Sequence, residues 1–209
     1  MTIRVLLVDD HPVVLDGLAA GLRQNGIGVA GSATSLGEAR GMLARGDVDV
    51  VLVDIRLPDG SGTELLRLAK DPGAPAFIVM SSFASPEYLE VAMSLGAKGY
   101  LLKTAKTAEI VAAVRRVSAG MPAFTPAQLL EGHGANWTPL SDREARIVSR
   151  LLAGRSNDEI GADLGLSTKR VEAYLTRLFE RYDVASRTEL ALRAQAEGWL
   201  DLPTAEGRT

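Results

Sequence analysis

The sequence of 209 residues contains no cysteine and only two histidines, His11 and His133. The absence of cysteine excludes disulfides, thiolate metal sites and cysteine nucleophiles, and two isolated histidines cannot form a histidine-rich metal cluster. Long apolar runs are also missing, since none approaches the roughly 18 residues that a membrane-spanning helix needs. The N-terminal residues run from an apolar stretch into acids without a signal-peptide cleavage pattern. These absences predict a cytoplasmic protein that does not act at a membrane.

A surplus of positive charge is absent as well, because 23 lysines and arginines face 26 aspartates and glutamates. Residues 1 to 120 carry 12 basic and 13 acidic side chains, and residues 121 to 209 carry 11 and 13. Neither half is basic, so any binding to DNA must come from a local patch, with affinity added by dimerisation. The chain length suits two small domains.

Short apolar runs alternate with amphipathic helical segments over the first 119 residues. Ser35 with Glu38 and Ser61 with Glu64 form capping boxes that mark two of the helix starts. Five strands alternating with five helices predict right-handed crossovers and an α/β domain with a doubly wound five-stranded parallel sheet. The predicted strands are Ile3 to Val8, Ile27 to Ala30, Val48 to Val53, Ala76 to Ser81 and Gly99 to Leu102.

Polar side chains stand at the carboxyl ends of four of these strands, where open α/β sheets bind their ligands. Carboxylates that meet in one crevice repel each other unless one is protonated or a hard cation neutralises them, and near neutral pH Mg²⁺ is the simpler solution. With a hydroxyl and a lysine added, the pocket suits a phosphoryl group that Asp54 can accept as nucleophile. The residues expected to converge are Asp9, Asp10, Asp54, Ser81, Ser82 and Lys103.

The DDHP turn at residues 9–12, the Asp54 strand, Ser81 and the GYLLK segment resemble the receiver domain of two-component response regulators. The resemblance covers residues 3 to about 119 and implies a flavodoxin-like fold in which Asp54 accepts a phosphoryl group from a cognate histidine kinase. It also implies that Ser81 and Lys103 contact that group and that Tyr100 is the switch aromatic. The Mg²⁺ ligands that it implies are Asp9, Asp10, Asp54 and the backbone carbonyl of Arg56.

Arg56 and His11, which lie close in sequence to the predicted site acids, bear on whether the chain is an enzyme. Aspartyl-phosphate phosphohydrolases need a second aspartate two positions after the nucleophile, and this chain has Arg56 there. His11 follows the acids directly and is expected to be structural and not catalytic. The chain is therefore predicted not to be an enzyme, with a phosphohydrolase as the less favoured alternative.

The remainder of the chain shows helical patterns only. Residues 120–137 carry several glycines and prolines and are predicted to form a linker with one short helix, Pro126 to Leu130. Residues 138–200 are predicted to form a four-helix domain, with residues 201–209 as a flexible tail. Capping boxes that open three of the helices are Ser141 with Glu144, Ser156 with Glu159, and Ser186 with Glu189.

The segment SNDEIGADLGLSTKRVEAYL, residues 156–175, fits a helix, a turn and a second helix, which is the helix-turn-helix arrangement. On the second helix, Val171, Leu175, Leu178 and Tyr182 form one apolar stripe. The opposite side carries hydroxyls and four positive charges, which suit phosphate contacts and a major groove. The predicted DNA contacts are Ser167, Thr168, Lys169, Arg170, Glu172, Ala173, Thr176 and Arg177, with Arg181 on the same side.

Residues 138–197 resemble the LuxR-type helix-turn-helix domain, notably in TPLSDREARIVSRLLAGRSNDEIGADLGLS and in the later VASRTEL. Together with the receiver, this domain makes nearly the whole chain similar to the NarL/FixJ subfamily of response regulators. The resemblance implies that the helix from Ser186 to Glu197 pairs two DNA-binding domains. Leu190 and Ala194 are its candidate contact row, although a helix that merely covers the core would show the same spacing.

The second helix departs from the common LuxR-type pattern at two positions. Tyr174 stands where histidine is frequent, and Arg177 stands where asparagine is frequent. Glu172 can accept a hydrogen bond from cytosine N4 and is therefore assigned to base preference. Lys169, Arg170 and Arg177 are assigned to phosphates.

These patterns predict a DNA-binding transcriptional response regulator that is controlled by Mg²⁺-dependent phosphorylation of Asp54. A homodimer is expected to bind double-stranded promoter DNA at inverted-repeat half-sites. The expected output is dimerisation or release of the recognition helix from the receiver. The alternative is a regulator that binds DNA without phosphorylation, with a receiver used for dimerisation or ligand binding.

Overall fold

The computed structural model describes residues 2–82, 86–131, 140–196 and 198–201. Contacts divide the chain into two compact units, residues 1–136 and 137–209. Across the described ranges, the helices are too short or too polar to cross a membrane. The predicted start of the second domain at residue 138 lies outside the described residues, as does the predicted tail beyond Asp201.

Among the described residues of the first unit, seven strands form two sheets. They are β1 (Arg4–Val8), β2 (Gly28–Ala33), β3 (Val50–Asp54), β4 (Arg56–Leu57), β5 (Gly60–Ser61), β6 (Ala76–Ser81) and β7 (Gly99–Leu102). Five of them form a parallel sheet in the order β2-β1-β3-β6-β7, and β4 pairs with β5 as a short antiparallel hairpin. The predicted doubly wound five-stranded sheet is confirmed.

The central strand β3 is buried along its whole length. It pairs with β1 on one side and with β6 on the other, and helices cover both faces of such a sheet. A run of β-branched residues suits this position because both faces of the strand pack against apolar side chains. Asp54 is its last residue and therefore stands at the carboxyl edge.

A helix follows each of the five parallel strands along the chain. These helices are α1 (Pro12–Gln24), α2 (Leu36–Leu43), a 3-10 helix (Gly62–Lys70), α3 (Pro86–Ser94) and α4 (Thr107–Ser118). Leu22 of α1 and Val114 of α4 pack with Leu7 and Leu52 in one core cluster on the same face of the sheet. The burial of this cluster fixes where the strands end and therefore where their terminal side chains lie.

Two predicted capping boxes are wrong in detail. Ser35 accepts a hydrogen bond from the backbone of Glu38, but the Glu38 carboxylate accepts from the backbone of Thr34 instead of Ser35. Ser61 caps a 3-10 helix through the backbone N–H of Thr63. Its expected partner Glu64 pairs with Arg40 of α2 at 2.9 Å. A glutamate three residues after a serine can therefore accept from a donor other than the serine backbone. The sequence spacing does not identify that donor.

The segment 121–131, here called the edge segment, packs on the first unit although the sequence predicts a linker. The backbone N–H of Ala123 donates to the carbonyl of Lys98 at 2.7 Å, and Ala123 pairs with Gly99 in a parallel bridge at the edge strand β7. Helix α5 (Pro126–Glu131) follows and packs beside α3. Gln128 of α5 donates from Nε2 to the carbonyl of Tyr100 at 3.0 Å.

The second unit is helical, as predicted. Its helices are α6 (Asp142–Leu152), α7 (Asn157–Leu164), α8 (Thr168–Tyr182) and α9 (Arg187–Ala196), followed by a 3-10 turn (Trp199–Asp201). The capping boxes at Ser141 and Ser156 are confirmed. At Ser186, the backbone of Glu189 donates to the serine hydroxyl, but the Glu189 carboxylate accepts from the backbone of Ala185.

The turn between α7 and α8 depends on two glycines. Gly165 adopts a left-handed conformation with φ of 64° and ends α7. Gly161 lies against the turn, because a Cβ atom there would be 2.6 Å from the carbonyl oxygen of Leu166. The close approach fixes the direction in which α8 leaves α7.

Candidate phosphoacceptor site and nucleic-acid interface

Lys103 bridges two buried carboxylates at the carboxyl edge of the sheet. Its Nζ lies 2.7 Å from Oδ2 of Asp9 and 2.7 Å from Oδ2 of Asp54. Asp9 is 2% exposed and Asp54 is 5% exposed, so both carboxylates interact with the ammonium group in a poorly solvated environment. The sequence predicted that these three side chains converge, and in the structure they are in contact.

His11 lies beside the same acids. Its Nδ1 is 2.6 Å from Oδ1 of Asp10 and 3.1 Å from Oδ1 of Asp9, and its backbone N–H donates to that Asp9 oxygen at 2.9 Å. The Asp9 carboxylate is therefore held from both sides, by His11 on one oxygen and by Lys103 on the other. His11 contacts the acids and supports their orientation, which agrees with its expected structural role.

The donor set fits Mg²⁺. Ligand atoms of Asp9, Asp10, His11 and Asp54 all lie within 4.8 Å of one another. Three of the four are hard carboxylate oxygens, and Mg²⁺ binds through one or two carboxylates while it keeps several waters. Asp10 is exposed and Asp54 is buried, so an ion held between them can carry waters on its solvent side.

A cavity of about 180 Å³ opens above these acids. The predicted residues that line it are Asp10, Asp54, Arg56, Ser81, Ser82 and Lys103. Tyr88 of α3 also lines the cavity although it is 1% exposed. Tyr88 was not predicted as a site residue, because a tyrosine at helical spacing from Leu95 has the pattern of a core residue.

Tyr100 lies apart from the cavity lining and is buried, at 2% exposure. It precedes Lys103 by three residues on the edge strand β7, and its backbone carbonyl accepts the bond from Gln128. Its switch role stays a prediction.

Burial raises the pKa of Asp54 above its usual value of 3.8, and the hydrogen bond and charge of Lys103 oppose this shift. The backbone N–H of Arg56 also donates to Asp54. Burial of Lys103 lowers the pKa of its ammonium group, but hydrogen bonds to Asp54 and Asp9 outweigh it, so that the pKa lies above 10.5. The lysine therefore remains charged at neutral pH and can meet an anion bound at Asp54.

Gly62 lies against the backbone of Asp54. A Cβ atom on Gly62 would stand 1.8 Å from the carbonyl oxygen of Asp54, and the Gly62 N–H donates to the carbonyl of Ile55 at 2.8 Å. No side chain fits in this space. The loop after β3 can therefore close tightly only with glycine here, and this closure fixes the orientation of the strand end.

The second candidate surface is the outward side of α8. Lys169, Arg170, Glu172, Ala173, Thr176 and Arg177 are exposed, while Val171, Leu175, Leu178 and Tyr182 are buried in the core. The predicted division of this helix is confirmed for these residues. The exposed side forms a basic surface because three of its members are lysine or arginine.

Three residues placed on that surface by sequence have structural contacts. Ser167 is exposed and its hydroxyl caps α8 by accepting from the backbone of Arg170. The hydroxyl of Thr168 donates to Asp158 of α7. Arg181, which the spacing assigned to the same side, donates from both terminal nitrogens to Glu144 of α6, at 3.2 and 2.9 Å. Arg181 is exposed, as predicted, and this ion pair joins it to α6.

The predicted dimer contacts on α9 were wrong. Leu190 is fully buried and Ala194 is 1% exposed, and both pack in the core of their own domain with Trp199. The periodicity that suggested a contact row is that of a core-covering helix. Leu192 is the exposed apolar residue on α9, with 63% of its surface accessible.

Two family profiles match the chain. The profile described as "Response regulator receiver domain" matches residues 5–115, and the profile described as "Bacterial regulatory proteins, luxR family" matches residues 138–194. Together they cover both structural units.

Curated relatives match over nearly their whole length. The transcriptional regulatory protein UhpA of Escherichia coli is 36% identical over 199 residues, which cover 94% of this chain and 100% of UhpA. LiaR of Bacillus subtilis is 35% identical over 203 residues, covering 92% of this chain and 96% of LiaR.

Solved structures resemble the chain as well. The crystal structure of the response regulator ChrA, from a heme-sensing two-component system, is 29% identical, covers 95% of this chain and 98% of its own, and gives a TM-score of 0.53. RcsB of Salmonella enterica serovar Typhimurium bound to promoter DNA with a phosphomimetic gives a TM-score of 0.66 at 24% identity, covering 94% of this chain and 99% of its own. At that identity the RcsB structure supports the fold alone.

Proposed function

The chain belongs to the two-component response regulators that join a receiver domain to a LuxR-type DNA-binding domain, and on this basis we propose that phosphorylation of Asp54 controls its binding to promoter DNA. The observation that carries the proposal is the bridging of Asp9 and Asp54 by Lys103 below a small polar cavity. We expect the protein to work in the cytoplasm and not as an enzyme, in keeping with relatives named as transcriptional regulators.

The proposed phosphoryl donor is a phosphohistidine of a cognate kinase. A carboxylate oxygen of Asp54 attacks phosphorus, a P–O bond forms and the P–N bond breaks, so that the imidazole leaves. Lys103 then pairs with the phosphoryl oxygens, and the hydroxyl of Ser81 stands in the same cavity to donate to them. Negative charge on the transferred phosphoryl group is thus stabilised by Lys103 and Ser81, which already lie at the site.

Asp9, Asp10 and Asp54 are proposed to hold Mg²⁺ together with the backbone carbonyl of Arg56. When bound, the ion supplies positive charge to phosphoryl oxygens and offsets the repulsion among the three acids. The buried position of Asp9 and its contacts to His11 and Lys103 keep its carboxylate directed to the site.

Phosphorylation is proposed to shift an equilibrium between two receiver states. The added charge near Lys103 and Ser81 favours the state that binds it better, typically by about 1 to 3 kcal/mol. Tyr100 is the proposed switch, since β7 connects it to Lys103 and to the edge segment.

The proposed output is a homodimer that places two α8 helices on inverted half-sites of double-stranded DNA. Neither half of the chain is basic overall, so that one domain alone offers only the small basic surface of α8. Two copies double this surface. The exposed Leu192 side of α9, not Leu190 and Ala194, is the proposed contact between DNA-binding domains.

Two rival functions make different predictions. A phosphohydrolase needs a second carboxylate near the nucleophile, and the chain has an exposed Arg56 at that place. A regulator that ignores phosphorylation would bind its DNA equally well with and without a phosphoryl mimic at Asp54.

The test is phosphorylation of the full-length protein by a small acyl-phosphate donor with Mg²⁺. Borohydride reduction of the product and mass spectrometry locate the modified aspartate. We expect modification at Asp54, loss of it in Asp54→Asn, and normal modification in Asp16→Asn, which removes an exposed carboxylate of α1. Modification that persists in Asp54→Asn would refute the assignment. DNA affinity measured before and after phosphorylation then tests the control of binding.

A further inference from the structure

Tyr174 and Arg177 lie one turn apart on α8 and stack on each other. The guanidinium carbon of Arg177 stands 4.6 Å from the centre of the Tyr174 ring. The Nε of Arg177 donates to the backbone carbonyl of Ala173 at 3.3 Å. The arginine side chain is therefore folded back toward the N-terminal end of the helix and held at two points.

The ring itself packs against its own domain. Tyr174 is half-buried and contacts the core of the second unit, whereas Arg177 is exposed. Arginine stacks favourably on aromatic faces, and a stack on a ring that packs against the core restricts the rotamers of the arginine before any ligand arrives. Less conformational entropy is then lost when the arginine binds.

The folded-back conformation brings the guanidinium group toward the centre of the outward side. Ala173 is two residues from Val171 and two from Leu175, which are buried, so at about 100° per residue it lies on the opposite side of the helix. Ala173 carries only a methyl group, which leaves room for the guanidinium beside it. The N-terminal part of a recognition helix is also the part that contacts base edges.

The bond to Ala173 engages Nε and leaves the two terminal nitrogens of Arg177 as a side-by-side pair of donors. Such a pair matches the O6 and N7 acceptors of guanine in the major groove. A phosphate contact is met equally well by a mobile side chain, whereas a base contact requires donors in a defined place.

We propose that Arg177 reads a guanine in each half-site and that Tyr174 is the residue that positions it. This inference rests on the proposed function of α8 as the recognition helix. It replaces the expectation that Arg177 meets a phosphate, while Lys169 and Arg170 keep that role.

The experiment selects binding sites from a random duplex library with the phosphorylated full-length protein and three variants. Tyr174→Phe keeps the ring, Tyr174→Leu keeps apolar bulk without the ring, and Arg177→Ala removes the donors. We expect the unaltered protein and Tyr174→Phe to share one strong guanine preference, which Tyr174→Leu and Arg177→Ala lose. Affinity for the selected site should fall roughly 5- to 100-fold in Arg177→Ala. A fourth variant that combines Tyr174→Leu with Arg177→Ala should bind no more weakly than Arg177→Ala alone.

Replacement of the selected guanine by 7-deazaguanine, which lacks the N7 acceptor, gives a second readout. It should weaken binding of the unaltered protein and of Tyr174→Phe, and it should leave Arg177→Ala unchanged. Binding is compared at a temperature where tryptophan fluorescence shows every variant to be folded, so that a loss does not report unfolding.

Three results would overturn the proposal. A uniform loss of affinity for all sequences in Arg177→Ala, with a salt slope lower by about one, would identify a phosphate contact. Retention of the guanine preference in Tyr174→Leu would remove the positioning role of the ring. A complete lack of sequence preference in the unaltered protein would overturn the proposed function together with this inference, and is thereby distinguished from the first two results.

Discussion

Arg181 donates from its two terminal nitrogens to the two carboxylate oxygens of Glu144, at 3.2 and 2.9 Å, and so joins the end of α8 to the start of α6. Glu144 also accepts from the backbone N–H and the hydroxyl of Ser141, so one carboxylate caps α6 and anchors α8. Its exposed fraction is 6%, which makes this pair less solvated than an ordinary surface ion pair.

We therefore expect Glu144→Gln to destabilise the second domain by about 1 to 3 kcal/mol, because the charged bonds are lost and Arg181 is left without its anion. Residues 1–136 contain no tryptophan, so urea unfolding followed by tryptophan fluorescence measures the second domain alone. Glu159→Gln is the matched control. It removes a capping-box carboxylate whose partner Arg155 is 53% exposed, and it should cost less. Equal losses in the two variants would contradict the interpretation.

The same carboxylate predicts a pH dependence. Burial raises the pKa of Glu144, but the bonds from Ser141 and Arg181 outweigh it and bring the pKa below the usual 4.5. A depressed folded-state pKa gives stability that is present above pH 4.5 and is lost as the pH falls through the folded value. The difference in unfolding free energy between the unaltered protein and Glu144→Gln should be constant near neutral pH and should shrink in acid. A difference that grows in acid would contradict a pKa of Glu144 that lies below 4.5 in the folded protein.

Lys103→Met should destabilise the first domain and make its stability depend on Mg²⁺. Without the ammonium group, Asp9 and Asp54 remain as two buried carboxylates close together, at a cost of about 3 kcal/mol. A divalent cation replaces part of the lost charge, so the rise in melting temperature on adding Mg²⁺ should be larger in this variant than in the unaltered protein. Circular dichroism in EDTA and in Mg²⁺ checks this, with Lys98→Met at an exposed position as the control. An equal response in both proteins would contradict a cation site at these acids.

Gly62→Ala should disturb the phosphoacceptor strand. The added Cβ would stand 1.8 Å from the carbonyl of Asp54, so the loop must move, and overpacking of this kind costs about 1 to 3 kcal/mol. Phosphorylation of Asp54 should become slower together with the loss of stability. Gly17→Ala in α1 meets nothing within 4 Å and should be neutral or stabilising by up to about 1 kcal/mol. Normal phosphorylation of Gly62→Ala would show that the closed loop is unnecessary.

Gln128→Glu should detach the edge segment without unfolding α5. Oε1 of Gln128 accepts from the backbone of Thr125 and caps the helix, while Nε2 donates to Tyr100. A glutamate keeps the first bond and cannot make the second. We expect faster hydrogen exchange at Ala123, whose N–H bonds to Lys98, while the amides of α4 keep their protection. Unchanged exchange at Ala123 would show that the backbone bridge alone holds the segment.

The sequence was sufficient to predict the sheet and the cluster of polar side chains at its edge for a topological reason. Parallel strands end at one edge, so Asp9, Asp54 and Lys103 had to approach each other wherever the helices packed. Partners of surface helices were not predictable in this way. Arg181 and Glu144 are 37 positions apart, and helical spacing gives the side of a residue but not what lies opposite.

For Leu190 and Ala194 as well, helical spacing did not identify the surface that the residues contact. Their spacing defines an apolar row, and a row that packs on its own core has the same periodicity as one that packs on a second copy. The helix in the edge segment was predicted, but the attachment of the segment to β7 was not, because that attachment comes from backbone bonds that any sequence can make.

Because residues 121–131 are attached to the first domain, they also determine where the chain can be truncated to isolate that domain. β7 is the last strand of the sheet, and Ala123 occupies the space beside Gly99, where a Cβ would lie 3.2 Å from the Ala123 side chain. A fragment that stops at residue 119 would leave the border of β7 open to pairing with strands of other molecules, a common origin of aggregation. The isolated phosphoacceptor domain should therefore stay in solution as a single species when it extends to residue 131, and should self-associate when it ends before the bridge.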